Sequence, residues 1–186
     1  MKTSEISRMI NPHVSTPCEY INAWSVVPIA DMIMAPSVIL LHNVPIDEVQ
    51  GYMISEMQVR WNHQSKVYET TALAVQGDIG APVNGVLLRK IPVDKYRHLA
   101  VRLFLLLYKG NDSFTPFDVS SFGAFKYEAG DGPTDKNLKR VACIYRVYKH
   151  ISDSPRKAVA EAFGIAPSTA TIWINDARAR YMRDEE

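Results

Sequence analysis

A short run of polar and small apolar side chains near the C-terminus has the composition of a surface that recognises nucleic acid. In the segment PSTATIWINDARAR, which begins at Pro167, helical spacing places several of these side chains on one face. Asn can pair with adenine, and the methyl group of Thr or Ile can contact thymine. Lys, Arg and the backbone N–H groups at the start of a helix can bind phosphates. The candidate DNA contacts are Arg156, Lys157, Ser168, Thr169, Thr171, Ile172, Asn175 and Arg178.

The charge of the chain is concentrated around the same segment. The 186 residues carry a formal net charge of +1. Residues 1–130 hold 11 Lys or Arg and 12 Asp or Glu, whereas residues 138–183 hold nine and three, a local charge of +6. Phosphate binding requires such a basic segment. A solvated helical face could carry the same charges, so charge alone leaves both interpretations open.

Two helices joined by a turn would position these side chains. Ser154 can cap the first helix, and Pro155 suits its first turn. Gly164 tolerates the positive φ that the turn needs, and Ala160 is small enough for a helix crossing. The second helix, the recognition helix, is predicted from about 167 to 182. Apolar residues that would pack the helices together are Val159, Phe163, Ile165, Ala170 and Trp173.

The segment KAVAEAFGIAPSTATIWINDARAR resembles the helix-turn-helix of small regulatory and phage-type proteins common in actinobacteria. Their pattern is similar to K-A-V-A-E-x-x-G-V-S-x-S-T-A-x-R-W-V-x-x-A-R. In those proteins, a strand and helix similar to VLLRKIPVDKYRHLAV precede the motif. The resemblance implies DNA binding. The matching positions are 157–164, 168–170, Trp173, Ala177 and Arg178.

This chain departs from the pattern at two positions. Ala166 occupies a position where the pattern has Ser, which weakens the cap of the recognition helix. Ile172 occupies a position where the pattern has Arg, which removes a charged contact. Base recognition is therefore expected to depend mainly on short polar side chains, and much of the affinity on surrounding cations.

The longer front part of the chain is predicted to form an α+β domain, residues 1–127, for dimerisation or sensing. Alternation in MQVRW and VYETTALAV indicates antiparallel strands, and VLLRKIP is predicted as another strand. A helix is predicted from Asp94 to Lys109, with Gly110 after its end. Its apolar end, Leu103 to Leu107, would lie against the sheet or form a dimer interface.

A polar, Gly-containing segment divides the chain. Residues 128–137, EAGDGPTDKN, are predicted as a linker. Residues 138–186 would then form an all-helical domain that contains the helix-turn-helix. The predicted fold class is α+β, with a small N-terminal antiparallel sheet, a packed helix and a helical C-terminal domain.

The sequence lacks the signals of several other protein classes. Cys18 and Cys143 lie too far apart to suggest a disulfide framework, and two cysteines fit a reducing compartment. The first 20 residues have no uninterrupted apolar segment of a signal peptide. The apolar run from Val26 to Leu41 is broken by prolines and an aspartate and does not resemble a membrane span. A cytoplasmic, nucleoid-associated protein without membrane, metal or cofactor is expected.

Other functions remain open at this stage. The two helices could be a plain hairpin or a protein-binding surface, and the front sheet could hold a partner as in an adaptor or antitoxin. Scattered acids could form a nuclease centre in a DNA-targeted enzyme or a phage-replication accessory protein. The favoured hypothesis is a non-enzymatic transcriptional regulator that binds double-stranded DNA as a homodimer, because one recognition helix offers few base contacts. The acids are Asp47, Glu48, Glu56, Glu69 and Asp78, and the weakly suggestive metal ligands, which lack zinc-site spacing, are His13, Cys18, His42 and His63.

Overall fold

The computed structural model describes residues 26–111 and 113–183, and it has the predicted α+β class. Two small antiparallel sheets form the front part, and helices form the C-terminal part. The strands are β1 (Val26–Ala30), β2 (Ile33–Pro36), β3 (Val38–Pro45), β4 (Tyr52–Asn62), β5 (Val67–Gly77), β6 (Leu106–Gly110) and β7 (Ser113–Pro116). The helices are α1 (Gly85–Leu88), α2 (Val93–Leu103), a 3₁₀ helix (Val119–Asp131), α3 (Asp135–Ile151), α4 (Pro155–Phe163) and α5 (Pro167–Tyr181).

Strands β3, β4 and β5 form a three-stranded antiparallel meander, two strands of which the alternating sequence predicts. Leu41 pairs with Met57 across β3 and β4, and Met57 pairs with Leu73 across β4 and β5. Leu41 and Met57 are fully buried, because every second side chain of these strands faces the core. The two strands predicted at MQVRW and VYETTALAV are therefore confirmed.

The second sheet has the order β1-β2-β6-β7 and contains a strand that the sequence prediction missed. The helix expected to reach Lys109 ends at Leu103, and the chain then enters β6. Leu106 pairs with Met34 of β2, a contact between residues far apart in sequence. An apolar run without helical periodicity suits a buried strand, and this long-range pairing overrides local helix propensity.

The prediction of a strand at VLLRKIP was also wrong. The side chain of Asn84 accepts hydrogen bonds from the backbone N–H groups of Val86 and Leu87, at 3.1 and 3.0 Å. This cap starts the single helical turn α1. For Leu103 to Leu107, the sequence left two alternatives, packing against the sheet or a dimer interface. Leu105 and Leu106 are buried within the chain, so a dimer interface is not needed to explain their apolar character.

The segment 128–137 is mostly part of regular elements. The predicted linker therefore overlaps two helices: residues 128–131 belong to the 3₁₀ helix, and Asp135 is already the first residue of α3. The side chain of Thr134 accepts a hydrogen bond from the backbone N–H of Asn137 at 3.3 Å and caps α3. One cluster of buried residues extends from the strands to the C-terminal helices.

Helix α3 connects the front sheets with the last two helices. It packs on α4 and α5 on one side and contacts β1 and α2. The ring of His150 lies 5.4 Å from that of Trp61 and 6.1 Å from that of Tyr68, centroid to centroid. None of the helices in the described ranges combines the length and the apolar character needed to cross a bilayer.

Candidate nucleic-acid interface

The turn between α4 and α5 has the backbone geometry that a helix-turn-helix requires. Gly164 adopts φ 64° and ψ 33°, the left-handed conformation that glycine accepts most readily. The N–H of Ile165 donates to the carbonyl of Ala160 at 3.0 Å, and the N–H of Gly164 donates to that of Glu161 at 3.2 Å. These bonds close the end of α4, and α5 begins at Pro167.

The packing of the two helices follows the predicted apolar positions. The rings of Phe163 and Trp173 meet edge to face, with centroids 5.4 Å apart. Ala160 and Ala170 are buried, so small side chains lie where α4 and α5 approach each other. Phe125 of the 3₁₀ helix packs against Phe163 at 5.9 Å and closes this core.

One face of α5 stays open to solvent. Ser168, Ile172 and Asn175 are exposed at a spacing of four and three residues, which places them in line on the helix surface. Ile172 is 60% exposed, so most of its apolar surface is available to a partner. Thr169 and Thr171 are half-buried beside this line. The three predicted residues Ser168, Ile172 and Asn175 therefore lie on one exposed surface of α5.

Two of the predicted contact residues have intramolecular hydrogen bonds. The hydroxyl of Thr171 donates to the carbonyl of Pro167 at 3.0 Å, a bond within the helix. The guanidinium of Arg178 stacks on the ring of Tyr145, 4.8 Å from its centroid, and donates to its hydroxyl. Arg178 remains exposed, and Tyr145 holds its guanidinium in one orientation. It lines a small cavity of about 400 Å³ together with Asn175 and Arg183.

Neither α4 nor α5 has a side-chain hydrogen bond that caps its start, and the first turn of α4 is basic. Ser154 occupies the cap position of α4 as predicted, but its side chain makes no capping hydrogen bond. Ala166 at the start of α5 has no side chain for such a bond. Arg156 and Lys157 are exposed in the first turn of α4, where Lys157 lies 3.7 Å from Glu161. Solvent screens this exposed pair, so it competes weakly with an external anion.

Lys126 is a cation at the turn that sequence reasoning did not include. Its Cγ lies 3.6 Å from the position that a Cβ on Gly164 would occupy. Nearby, the guanidinium of Arg140 stacks on Phe125 at 4.4 Å. The sequence contained no signal for Lys126, because its position depends on how the 3₁₀ helix packs against α4.

Among the described residues, the candidate acids and metal ligands of the front part do not gather into a centre. Asp47 and Glu48 both bind the ammonium of Lys95, at 2.8 and 2.7 Å. Glu69 accepts hydrogen bonds from Asn62 and Ser65. Within the ranges that the structure describes, no three His, Cys, Asp or Glu side chains lie close enough to hold a metal ion. The possible ligands His13 and Cys18 lie outside the described residues.

The remaining cysteine does not resemble a reactive nucleophile. Cys143 lies half-buried in α3, and desolvation raises the pKa of its thiol to about 12. It therefore remains a neutral thiol at pH 7 and acts as a small packing residue.

Comparison of the chain with family models, with curated proteins and with solved structures finds no match. The case for an interface therefore depends on the geometry of α4 and α5, on the exposed line of Ser168, Ile172 and Asn175, and on the cations around them.

Proposed function

We propose that this chain is a sequence-specific double-stranded DNA-binding protein of the helix-turn-helix kind, acting as a transcriptional regulator. The observation that carries the proposal is the exposed line of Ser168, Ile172 and Asn175 on α5, beside a turn with a left-handed glycine. Helix α5 would enter the major groove, and α4 would lie across the backbone.

The chemistry of the exposed face suits thymine and adenine. The amide of Asn175 can donate to N7 and accept from N6 of adenine, and the methyl groups of Ile172 can contact the thymine methyl. Ser168 at the start of α5 can bind a base edge or a phosphate. These few base contacts discriminate only modestly between DNA sequences. Further base pairs of the operator must therefore contribute to the specificity.

The cations around the face would bind the DNA backbone. Lys126 is exposed at the turn, Arg156 and Lys157 are exposed at the start of α4, and Arg178 is oriented by Tyr145 near the far end of α5. Each phosphate contact releases counterions, so the affinity should fall steeply as salt concentration rises. A neutral solvated face would lack this dependence.

A single α5 covers only part of a typical operator. We infer a homodimer that binds two half-sites about one helical turn of DNA apart, roughly 34 Å. The front part of the chain would hold the two copies together or sense a signal. The protein would then act in the cytoplasm, on the nucleoid.

Selection from a random duplex library with purified full-length protein tests this proposal. A palindromic motif is expected, and it would establish both base recognition and twofold symmetry. Fluorescence anisotropy at low salt should then show tight binding to that motif. Absence of any DNA affinity at low salt removes the proposal.

A single substitution separates base recognition from folding. We expect Asn175→Ala to weaken binding to the selected motif by about 1–3 kcal/mol, with less effect on random DNA. Asn175 is exposed, so the melting temperature should change little. The matched control is Gln50→Ala, which removes an exposed amide from the front part and should leave DNA binding unchanged. An equal loss of affinity for selected and random DNA would show that Asn175 does not take part in base recognition.

A further inference from the structure

The connection between β5 and α2 exposes an unusual share of apolar surface. Of the six large apolar side chains that are exposed in the described part of the chain, four lie within ten residues of sequence. Large apolar side chains exposed close together commonly mark an interaction surface. We name this stretch, from Ile79 to Leu88, the apolar segment: Ile79 is fully exposed, and the exposed fractions of Val83, Val86 and Leu88 are 43, 64 and 46%.

The backbone of the apolar segment is held in place, so the exposure of its side chains is a property of the fold. The N–H of Ala81 donates to the carbonyl of Asp78 at 2.9 Å, and the hydroxyl of Tyr52 donates to the carbonyl of Pro82 at 3.2 Å. In α1, Leu87 is buried while both of its neighbours are exposed. The single helical turn therefore has an inner side that fixes it to the chain and an outer side available to a partner.

Charged side chains of opposite sign flank the apolar segment along the chain. Asp78 precedes it, Arg89 and Lys90 follow it, and all three are exposed. Among the described residues, none of these three has an ion-pair partner. Two copies related by a twofold axis meet with the same surface, so antiparallel segments would place the acid of each copy beside the cations of the other. The charge pattern is thus self-complementary, which favours a second copy as the occupant.

We propose that the apolar segment is the interface of a homodimer. The apolar side chains of two copies would pack against each other about the twofold axis, and Asp78 of each copy would lie beside Arg89 and Lys90 of the other. An apolar centre with a charged rim is typical of protein interfaces. The biological need for this dimer rests on the proposed DNA-binding function, which calls for two recognition helices, whereas dimerisation itself needs no DNA.

Sedimentation velocity of the full-length protein without DNA tests the interface. We expect the wild type to pass from monomer to dimer as its concentration rises through the micromolar range. Val86→Ser removes apolar surface from both halves of the interface, so it should weaken the dimer roughly tenfold.

The matched control for Val86→Ser is Met32→Ser. Met32 is 50% exposed but lies at the turn between β1 and β2, so its substitution should leave the dimer as tight as that of the wild type. Circular dichroism verifies that both variants fold. A wild type that stays monomeric at all of these concentrations would overturn the proposal, and so would a Val86→Ser dimer as tight as that of Met32→Ser.

Charge reversal distinguishes a second copy from any other partner. Asp78→Lys gives a segment with cations on both sides, and Arg89→Glu with Lys90→Glu gives one with acids on both sides. Each variant alone should dimerise at least roughly tenfold more weakly than the wild type, because like charges then face each other. An equimolar mixture of the two should form dimers again, since every cation then faces an acid. A mixture that dimerises no better than its components would overturn the antiparallel pairing.

The dimer interface and the DNA-binding function fail separately. A monomer that still binds the selected DNA motif would remove the interface and leave base recognition intact. A dimer that Val86→Ser dissociates, but that has no DNA affinity at low salt, would support the interface and remove only the proposed function.

Discussion

The front sheets and the C-terminal helices use their charged side chains in different ways. In the front part, Lys95 is bound by Asp47 and Glu48, and Arg97 donates to Asp94 and to the carbonyl of Tyr68 at 2.8 Å. In residues 138–183, exposed cations outnumber exposed acids. Some charges of the front part are thus paired within the fold, whereas most cations of residues 138–183 are exposed to solvent.

The two parts nevertheless share their packing through α3. His150 and Arg146 extend from this helix towards Trp61 and Asp31 of the front part, while its other side supports α4 and α5. The two parts can therefore differ in how their charges are paired and still fold as one unit. The following substitutions test how far the two parts depend on each other.

The largest effect is expected at the centre of the C-terminal helices. Trp173→Ala should lower the free energy of unfolding by about 3–5 kcal/mol, because the indole is buried against Phe163. Urea titrations followed by circular dichroism and by fluorescence of the remaining tryptophans should give one coincident transition if α3 couples the two parts. Two separate transitions would contradict that coupling.

The neighbouring residue provides the control for Trp173. Ile172→Ala removes a side chain that is 60% exposed, so the free energy of unfolding should change by less than about 0.5 kcal/mol. Under the proposed function, the same substitution should weaken binding to the selected DNA motif. A large loss of stability would mean that Ile172 contributes to packing. Ile172 would then not belong to the exposed line on α5.

The C-terminal helices were predictable because their signals are local. Pro155 and Pro167 at helix starts, Gly164 at a helix end and the spacing of Trp173 all follow from neighbouring residues in the sequence. The side chains on the exposed face of α5 follow from helical periodicity alone. The orientation of Arg178 on Tyr145 did not follow, because it depends on how α3 and α5 cross.

The front part was less predictable because its second sheet is assembled from distant segments. Strand β6 was assigned to a helix, since nothing near Leu106 indicates its pairing with Met34. A cleft beside Trp61 had no sequence signal either, because its lining comes from β1, the turn between β4 and β5, and α3. Local patterns define elements, whereas sites between elements depend on tertiary packing.

An intermediate effect is expected from acid titration at the contact between the two parts. Burial lowers the pKa of His150 to about 4, whereas an unfolded histidine titrates near 6.5. Between these values the unfolded state binds a proton that the folded state does not, so stability is lost as pH falls from about 6.5 to 4. His98, whose pKa is lowered by burial and by Arg97, contributes in the same direction.

The substitution His150→Gln isolates this contribution. The free energy of unfolding of the wild type should fall between pH 7 and pH 4.5 by about 2 kcal/mol more than that of the variant. Urea titrations at the two pH values measure the difference. His98→Gln should remove a smaller part of the pH dependence. Identical pH dependence in the wild type and His150→Gln would show that the ring is accessible to protons and that the contact with Trp61 and Tyr68 opens readily.

Apart from the Ile172 control, the smallest effect is expected at the turn itself and concerns backbone conformation alone. Gly164→Ala should cost about 1–2 kcal/mol, since φ 64° disfavours a side chain. Its Cβ would meet Lys126 at an ordinary contact distance of 3.6 Å, so no clash adds to this cost. Gly85→Ala, at a glycine without positive φ and with open space around it, should be neutral or slightly stabilising. Thermal unfolding of both variants measures the contrast, and equal shifts would mean that the turn relaxes out of the left-handed conformation.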